Sequence, residues 1–233
     1  MIKYWQPLKQ INDYLGNMIT KDMKVLELGP SIIPFQYATH YCGWDVNESN
    51  KLPNYKIVDF SKDKFPYDDK EFDFTYARHV LEDLYNPFHC MEEISRISRA
   101  GYIECPSPIA EICMNSENYP ENSKIRWKGY NHHYYIVWNK DNKLNFLHKF
   151  PSVEIFDSNQ NNLEKILEHP LNWNTYYIWK DKIEYKHLQH SRDFECPIAP
   201  SYSNLIEVGA QAALDFNQQF QKELIKLLAY NYL

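Results

Sequence analysis

Apolar and polar positions divide this chain into two stretches of different character. From residue 24 to 108, short apolar runs recur, each closed by an acid, a glycine or a proline. The first, Lys24-Val25-Leu26-Glu27-Leu28-Gly29-Pro30, reads as a buried strand that stops at a turn. Further strands are predicted at residues 39–44, 55–58, 72–76 and 102–105. Only ten residues, 29–38, separate the first two strands. A parallel crossover usually takes about 10–12 residues or more and carries a helix. This one is therefore expected to be a loop or a single turn.

Helical spacing appears in three places within or before this stretch. Leu8, Ile11, Leu15 and Met18 share one face of a helix predicted over residues 7–18. Residues 79–84 read as a short helical turn. Asn86-Pro87 opens a clearer helix, with Asn as N-cap and Pro at the first helical position. Its inner stripe is Phe88, Met91, Ile94 and Ile97, and Gly101 is expected to end the segment. Strand and connection repeated in this way imply an α/β fold with a doubly wound, mostly parallel sheet.

Beyond Pro108 the alternation stops. Residues 134–138 and 144–148 flank a five-residue loop and read as an antiparallel hairpin. Residues 174–179 and 182–187 read as a second one. A long helix is predicted from Ser203 or Asn204, where Asn204 and Glu207 resemble a capping box. Its stripe of Ile206, Ala213, Phe216, Phe220, Leu224 and Leu227 would dock the helix on its own domain, or form a homodimer face or a pocket lid. The expected organisation is a cofactor-binding domain over residues 1–150, including the first hairpin. A C-terminal extension, residues 151–233, would pack on it.

Composition narrows the class. Hydrophobic residues at 44% and charged residues at 24% are ordinary for a folded globular chain. The formal charge is −6 and no Lys/Arg block stands out, which argues against a nucleic-acid partner. Five scattered cysteines without a CxxC pair suggest neither a zinc site nor a disulfide framework. Reduced thiols in the cytoplasm fit best. The first residues lack a signal-peptide pattern and no apolar run reaches membrane-spanning length, so no membrane association is expected.

Glu27, Asp45, Asp59 and Asp73 fall at strand ends or starts. The first three would gather at the carboxyl edge of the sheet, where ligands of open α/β folds bind. An acid after the second strand suits ribose hydroxyls, and one after the third suits a purine amine. Gly29 would let a ligand approach the backbone. The pattern suggests a nucleoside-containing cofactor. Pro30-Ser31-Ile32-Ile33-Pro34 excludes the nicotinamide fingerprint G-x-G-x-x-G, and no P-loop is present.

Several motifs together resemble class I S-adenosylmethionine-dependent methyltransferases. Val25-Leu26-Glu27-Leu28-Gly29-Pro30 resembles their first motif, Asp45 their ribose acid and Val58-Asp59-Phe60 their adenine-side motif. Residues 65–73 (FPYDDKEFD) resemble their approach to the fourth strand, and residues 78–84 (RHVLEDL) the motif after it. Glu92-Glu93-Ile94-Ser95-Arg96-Ile97 resembles the helix before their fifth strand. The departures are Ser31 where a second glycine is usual, Asp83 where a histidine is usual, and the missing helix after the first strand.

The resemblance implies a Rossmann-like methyltransferase sheet with hairpin additions and a long C-terminal helix. It implies S-adenosylmethionine as cofactor and S-adenosylhomocysteine as product. Glu27, Leu28, Gly29 and Pro30 would hold the methionine end, Asp45 and Val46 the ribose, and Asp59 with Phe60 the adenine. Arg78 and His79 would line the sulfonium side. Methyl transfer relies mainly on positioning donor and acceptor. An oxygen acceptor also needs a base, for which His79, Glu82, His132 and His133 are candidates. If His132 and His133 are on a strand, only one of the two can face a pocket. Arg126, Tyr130 and Tyr135 are candidate acceptor contacts. The expected function is methylation of an oxygen or nitrogen on a sugar, nucleotide-sugar or other small metabolite. The alternative is a methyltransferase fold that has lost catalysis and serves as a binding or scaffold module.

Overall fold

Val25–Leu28 is buried at all four positions and forms β1, near the middle of the main sheet. Its neighbours are the parallel strands β2 (His40–Gly43) and, on the other side, a longer strand at Phe72–Arg78. With β3 at Tyr55–Ile57, that longer strand is β4, and β5 follows at Ser98–Pro106. All pairings among these five are parallel and their order is β3-β2-β1-β4-β5. The strand order therefore reverses between β1 and β4, and a crevice opens at their carboxyl ends. These features belong to a computed structural model that describes residues 7–44, 51–112, 132–149, 166–188 and 200–230.

Two compact units are present. One comprises Pro7–Cys105 and Tyr176–Glu184; the other holds the described residues of Pro106–Thr175 and Tyr185–Leu233. In the first unit, α1 (Lys9–Gly16) buries Ile11 and Leu15, whereas Met18 lies past the helix end and is exposed. Between β1 and β2 there are turns and no helix, as the short spacing requires. α2 (Pro87–Ile97) starts where its cap predicts: the Asn86 side chain accepts from the His89 N–H at 3.3 Å. Cys90 joins Met91, Ile94 and Ile97 on the buried stripe, while Phe88 is only half-buried.

Gly101 does not end this segment. β5 runs straight through it, and a Cβ there would lie 2.5 Å from the Thr75 carbonyl and 2.8 Å from the Trp179 indole nitrogen. The glycine lets the Trp179 ring lie on the strand. Gly101→Ala is expected to cost about 1–3 kcal/mol through overpacking, measured as a lower urea midpoint. An unchanged midpoint would mean that Trp179 moves aside without cost.

In the second unit β6 (Tyr135–Lys140) and β7 (Lys143–His148) pair antiparallel, with Lys140 opposite Lys143. The expected five-residue loop is in fact a two-residue turn. Asp141 and Asn142 have φ of 53° and 55°, the type I′ geometry that acidic and amide side chains tolerate. The expected second hairpin is also absent. β8 (Asn174–Lys180) extends the main sheet beside β5, while β9 (Tyr185–Leu188) lies parallel to β7. Two of the four residues between them direct their N–H groups elsewhere: Asp181 to the Arg99 carbonyl at 2.7 Å and Ile183 to Ser95 Oγ at 3.1 Å.

α3 (Pro108–Ile112) is capped by Ser107, whose Oγ accepts from the Ala110 N–H. α4 spans Pro200–Tyr230 and so begins before the expected Ser203 or Asn204. Ile206, Ala213, Phe220 and Leu224 are buried, and the helix packs on β6, on α3 and on the 3-10 turn Pro170–Trp173. Asn217 interrupts the apolar stripe, its Nδ2 donating to the Leu171 carbonyl at 2.8 Å and to the Asn174 carbonyl at 3.3 Å. The Leu227 side chain lies outside the described residues. Among the described residues no helix is long and apolar enough to cross a membrane.

Candidate functional site

The crevice at the β1–β4 switch holds a cavity of about 120 Å3, lined by Glu27, Gly29, Phe35, Tyr76, Arg78 and Asn12 among others. Glu27 faces it from the penultimate position of a strand buried on both sides. Its Oε2 accepts from the Phe35 N–H at 2.8 Å, and its Oε1 has no hydrogen-bond partner among the described residues. Burial pushes this carboxyl up to about 7, against the lowering effects of the Phe35 N–H and the Arg78 charge. The absent crossover helix explains the Phe35 contact. A loop fills that space and stacks the Phe35 ring on Tyr76, with centroids 4.0 Å apart and planes 1° from parallel.

Gly29 follows with φ of 58°, a left-handed conformation that costs other residues energy. A Cβ at this position would lie 2.9 Å from the Val80 methyl. The Gly29 backbone lines the cavity beside the buried Glu27. Leu28 is buried beneath it, and Pro30 is half-buried.

Arg78, at the carboxyl end of β4, also lines the cavity. Its Nε is 2.9 Å from Glu104 Oε1, with side chains only 8% and 3% exposed. Tyr102 donates its hydroxyl to the other Glu104 oxygen. His79 has φ of 52° and donates its N–H to the Glu104 carbonyl. Its Nδ1 lies 3.2 Å from Glu82 Oε1 and its Nε2 3.8 Å from Glu104 Oε1.

The other sequence candidates have separate places. Asp59 is half-exposed; it accepts from the Ser61 N–H at 3.0 Å and pairs with Lys62 at 2.9 Å, chiefly the latter holding its carboxyl below the usual range. It does not line the cavity, whereas the Phe60 ring is buried within 4.0 Å of a Gly29 Cβ position. Asp73 is at the opposite end of the sheet, accepting from the Lys24 N–H. Asp45, Val46, Arg126 and Tyr130 lie outside the described residues. In the second unit, His133 Nδ1 is 2.6 Å from Glu111 Oε1, and Lys149 Nζ is 2.7 Å from Glu111 Oε2. His132 is exposed, its ring centroid 4.4 Å from that of His133. Tyr135 is buried, edge-on to Phe146, His148 and His187.

Asn12, Phe35, Tyr76 and Glu104 were not singled out in the sequence. Glu104 was open to the rule that found Glu27, an acid near the carboxyl end of an apolar strand. The aromatic pair carried no local signal, because only the loop conformation brings Phe35 to Tyr76.

Residues 35–103 match the family model described as a methyltransferase domain, a stretch that runs from the turn before β2 into β5. No curated protein matches the chain. Several solved structures do, in part. The YcgJ protein from Bacillus subtilis is 13% identical, with 41% of this chain and 51% of that one covered and a TM-score of 0.32. A SAM-dependent methyltransferase from Aquifex aeolicus is 16% identical over 47% and 68% of the two chains, with a TM-score of 0.33. An S-adenosylmethionine-dependent methyltransferase from Mesorhizobium loti is 13% identical over 59% and 63%, with a TM-score of 0.34. The chain thus spans 51–68% of the length of these three proteins.

Proposed function

We propose, from the match of residues 35–103 to a methyltransferase-domain model, that this chain transfers a methyl group from S-adenosylmethionine to an oxygen or nitrogen of a small acceptor. The observation that carries this reading is the buried Glu27 carboxyl beside the positive-φ turn at Gly29, on the strand-order reversal of the sheet. Glu27 Oε1 is open to a cationic group, and the amino-acid end of the cofactor carries an ammonium. Gly29 lines the cavity with no side chain of its own, and Val80 Cγ2 occupies the direction a Cβ would take, so a ligand in the cavity meets backbone here. The cavity of about 120 Å3 suits that end alone, since pockets for whole metabolites run to about 300–1,000 Å3. The ribose is assigned to Asp45 and Val46, and the adenine side to Phe60 and Asp59.

The cofactor supplies an electrophilic methyl on a sulfonium. The chain's own residues position the acceptor and exclude water, which lowers the barrier chiefly through proximity. An oxygen acceptor must also lose a proton to His79, His132 or His133. Glu111 lies 2.6 Å from His133 Nδ1, and Glu82 lies 3.2 Å from His79 Nδ1. Arg126, Tyr130 and Tyr135 are proposed acceptor contacts. The partner is a small molecule rather than nucleic acid or membrane, the location is cytoplasmic, and α4 is a candidate homodimer face.

A second reading has its own observation. Ser31 replaces a glycine, and the Phe35 ring stacks on Tyr76 where the crossover loop closes over Glu27. A binding or scaffold module without catalysis would tolerate both. Calorimetric titration with S-adenosylhomocysteine separates the readings: heat of binding supports the transferase and its absence supports the module. Asp45→Ala is expected to weaken that binding about 2- to 10-fold for each ribose hydrogen bond lost. Unchanged affinity would remove Asp45 from the site.

A further inference from the structure

A larger cavity, about 570 Å3, lies within the second unit between the β6–β7 turn and one face of α4. Four of its ten lining residues carry side-chain amides, Asn139 and Asn142 from the hairpin and Gln211 and Gln219 from the helix, beside the apolar Val208 and Ala212. Asp215 and the Phe216 ring complete it. We propose that this cleft binds a neutral carbohydrate of one or two pyranose rings, a site distinct from the cofactor crevice and independent of methyl transfer.

The chemistry selects that class. Each amide offers both donor and acceptor, the pairing that hydroxyl groups require. Asp215 accepts from Gln211 Nε2 at 2.8 Å on Oδ1, which leaves Oδ2 open to hydroxyl donors. Phe216 is half-buried and stacked on Phe220, with centroids 5.8 Å apart and planes 21° from parallel, so its ring plane is fixed. A fixed aromatic face beside convergent polar groups matches a pyranose, which presents an apolar C–H face and an equatorial rim of hydroxyls.

An anion fits poorly, because Asp141 and Asp215 outnumber the single Lys140 in the lining. A greasy ligand would bury the Asn142 and Gln219 amides and the Asp215 carboxylate against apolar atoms. A peptide strand fits poorly too, since the hairpin backbone at Lys140 and Lys143 is already paired. The rigid turn at Asp141 and Asn142 makes the hairpin side of the cleft preformed. Its volume falls within the range of about 300–1,000 Å3 typical of small-molecule sites.

Saturation-transfer NMR on the full chain, with cellobiose, maltose, lactose and triglycine as probes, tests the proposal. Transfer to at least one disaccharide is expected, strongest on the C–H protons of a single ring face. Asp215→Ala should weaken that binding about tenfold or more, the scale of a hydrogen bond to a charged group. Gln219→Ala should weaken it several-fold. Both residues are exposed on α4, so the variants keep the fold even if Phe216→Ala does not. The proposal is overturned by transfer to none of the three sugars, by transfer to triglycine alone, or by sugar binding that both exposed variants leave unchanged. Titration of the same variants with S-adenosylhomocysteine tells a failure here from a failure of the methyltransferase reading.

Discussion

Arg78→Met is expected to destabilise the first unit by about 3–5 kcal/mol, the usual cost of removing one partner of a buried ion pair. Methionine keeps most of the side-chain volume, so the loss is electrostatic rather than a cavity. Glu104, 3% exposed, would keep the Tyr102 hydroxyl but lose the guanidinium 2.9 Å away. A loss of this size is a large share of the 5–15 kcal/mol that holds a typical domain together. Urea unfolding of the single and double variants decides the cause. Arg78→Met/Glu104→Gln should recover most of the loss, because it also removes the carboxylate that the guanidinium balances. If the double variant is as unstable as the sum of the two single ones, the pair is not coupled and the explanation fails.

Glu27→Gln is expected to act in opposite directions on stability and on ligand binding. In the folded chain this carboxyl titrates at about 7, against an ordinary value of 4.5 in the unfolded chain. Below pH 4.5 it is protonated in both states and has no effect on the balance. Between 4.5 and 7 the unfolded chain gives up the proton first, so stability falls as pH rises, by up to about 1.4 kcal/mol per unit. Above 7 the penalty is complete, roughly 3 kcal/mol, and no longer changes. The glutamine variant lacks this slope. At pH 8 it should match or exceed the parent chain in urea midpoint, since an amide oxygen can still accept from the Phe35 N–H.

Binding should move the other way. An ammonium on the ligand favours ionised Glu27, so S-adenosylhomocysteine affinity should rise with pH and level off above about 7. In Glu27→Gln it should drop about tenfold or more and lose that dependence, as expected when a hydrogen bond to a charge is removed. A stabilised but weakly binding variant is the ordinary signature of a strained functional residue. If Glu27→Gln binds as well as the parent at pH 8, Glu27 does not hold the cofactor.

The comparison of sequence with structure separates local from long-range information. β1, β4 and α2 were legible because alternation, capping and an early proline act between residues a few positions apart. The helix-free crossover was legible for the same reason: a segment of ten residues is too short for more. Gly101 misled because a glycine in isolation reads as a stop. Only the Trp179 ring, brought from far along the chain, turns it into a packing site. The hairpin loop was drawn too long because Asp141 and Asn142 give no sign in sequence that both take positive φ.

The site followed the same division. The sequence by itself determined that acids close successive strands, that Gly29 leaves bare backbone, and that the first stretch resembles methyltransferase motifs. It could not decide which acids meet. The fold brought Glu27 to the cavity together with Arg78 and, through Arg78, Glu104; it spent Asp59 on Lys62 and left Asp73 at the far edge. Likewise it sent β8 and β9 to different sheets. Charge pairing and strand partnership depend on burial and on contacts between residues distant in sequence. Their free energies come into being only when the chain has packed.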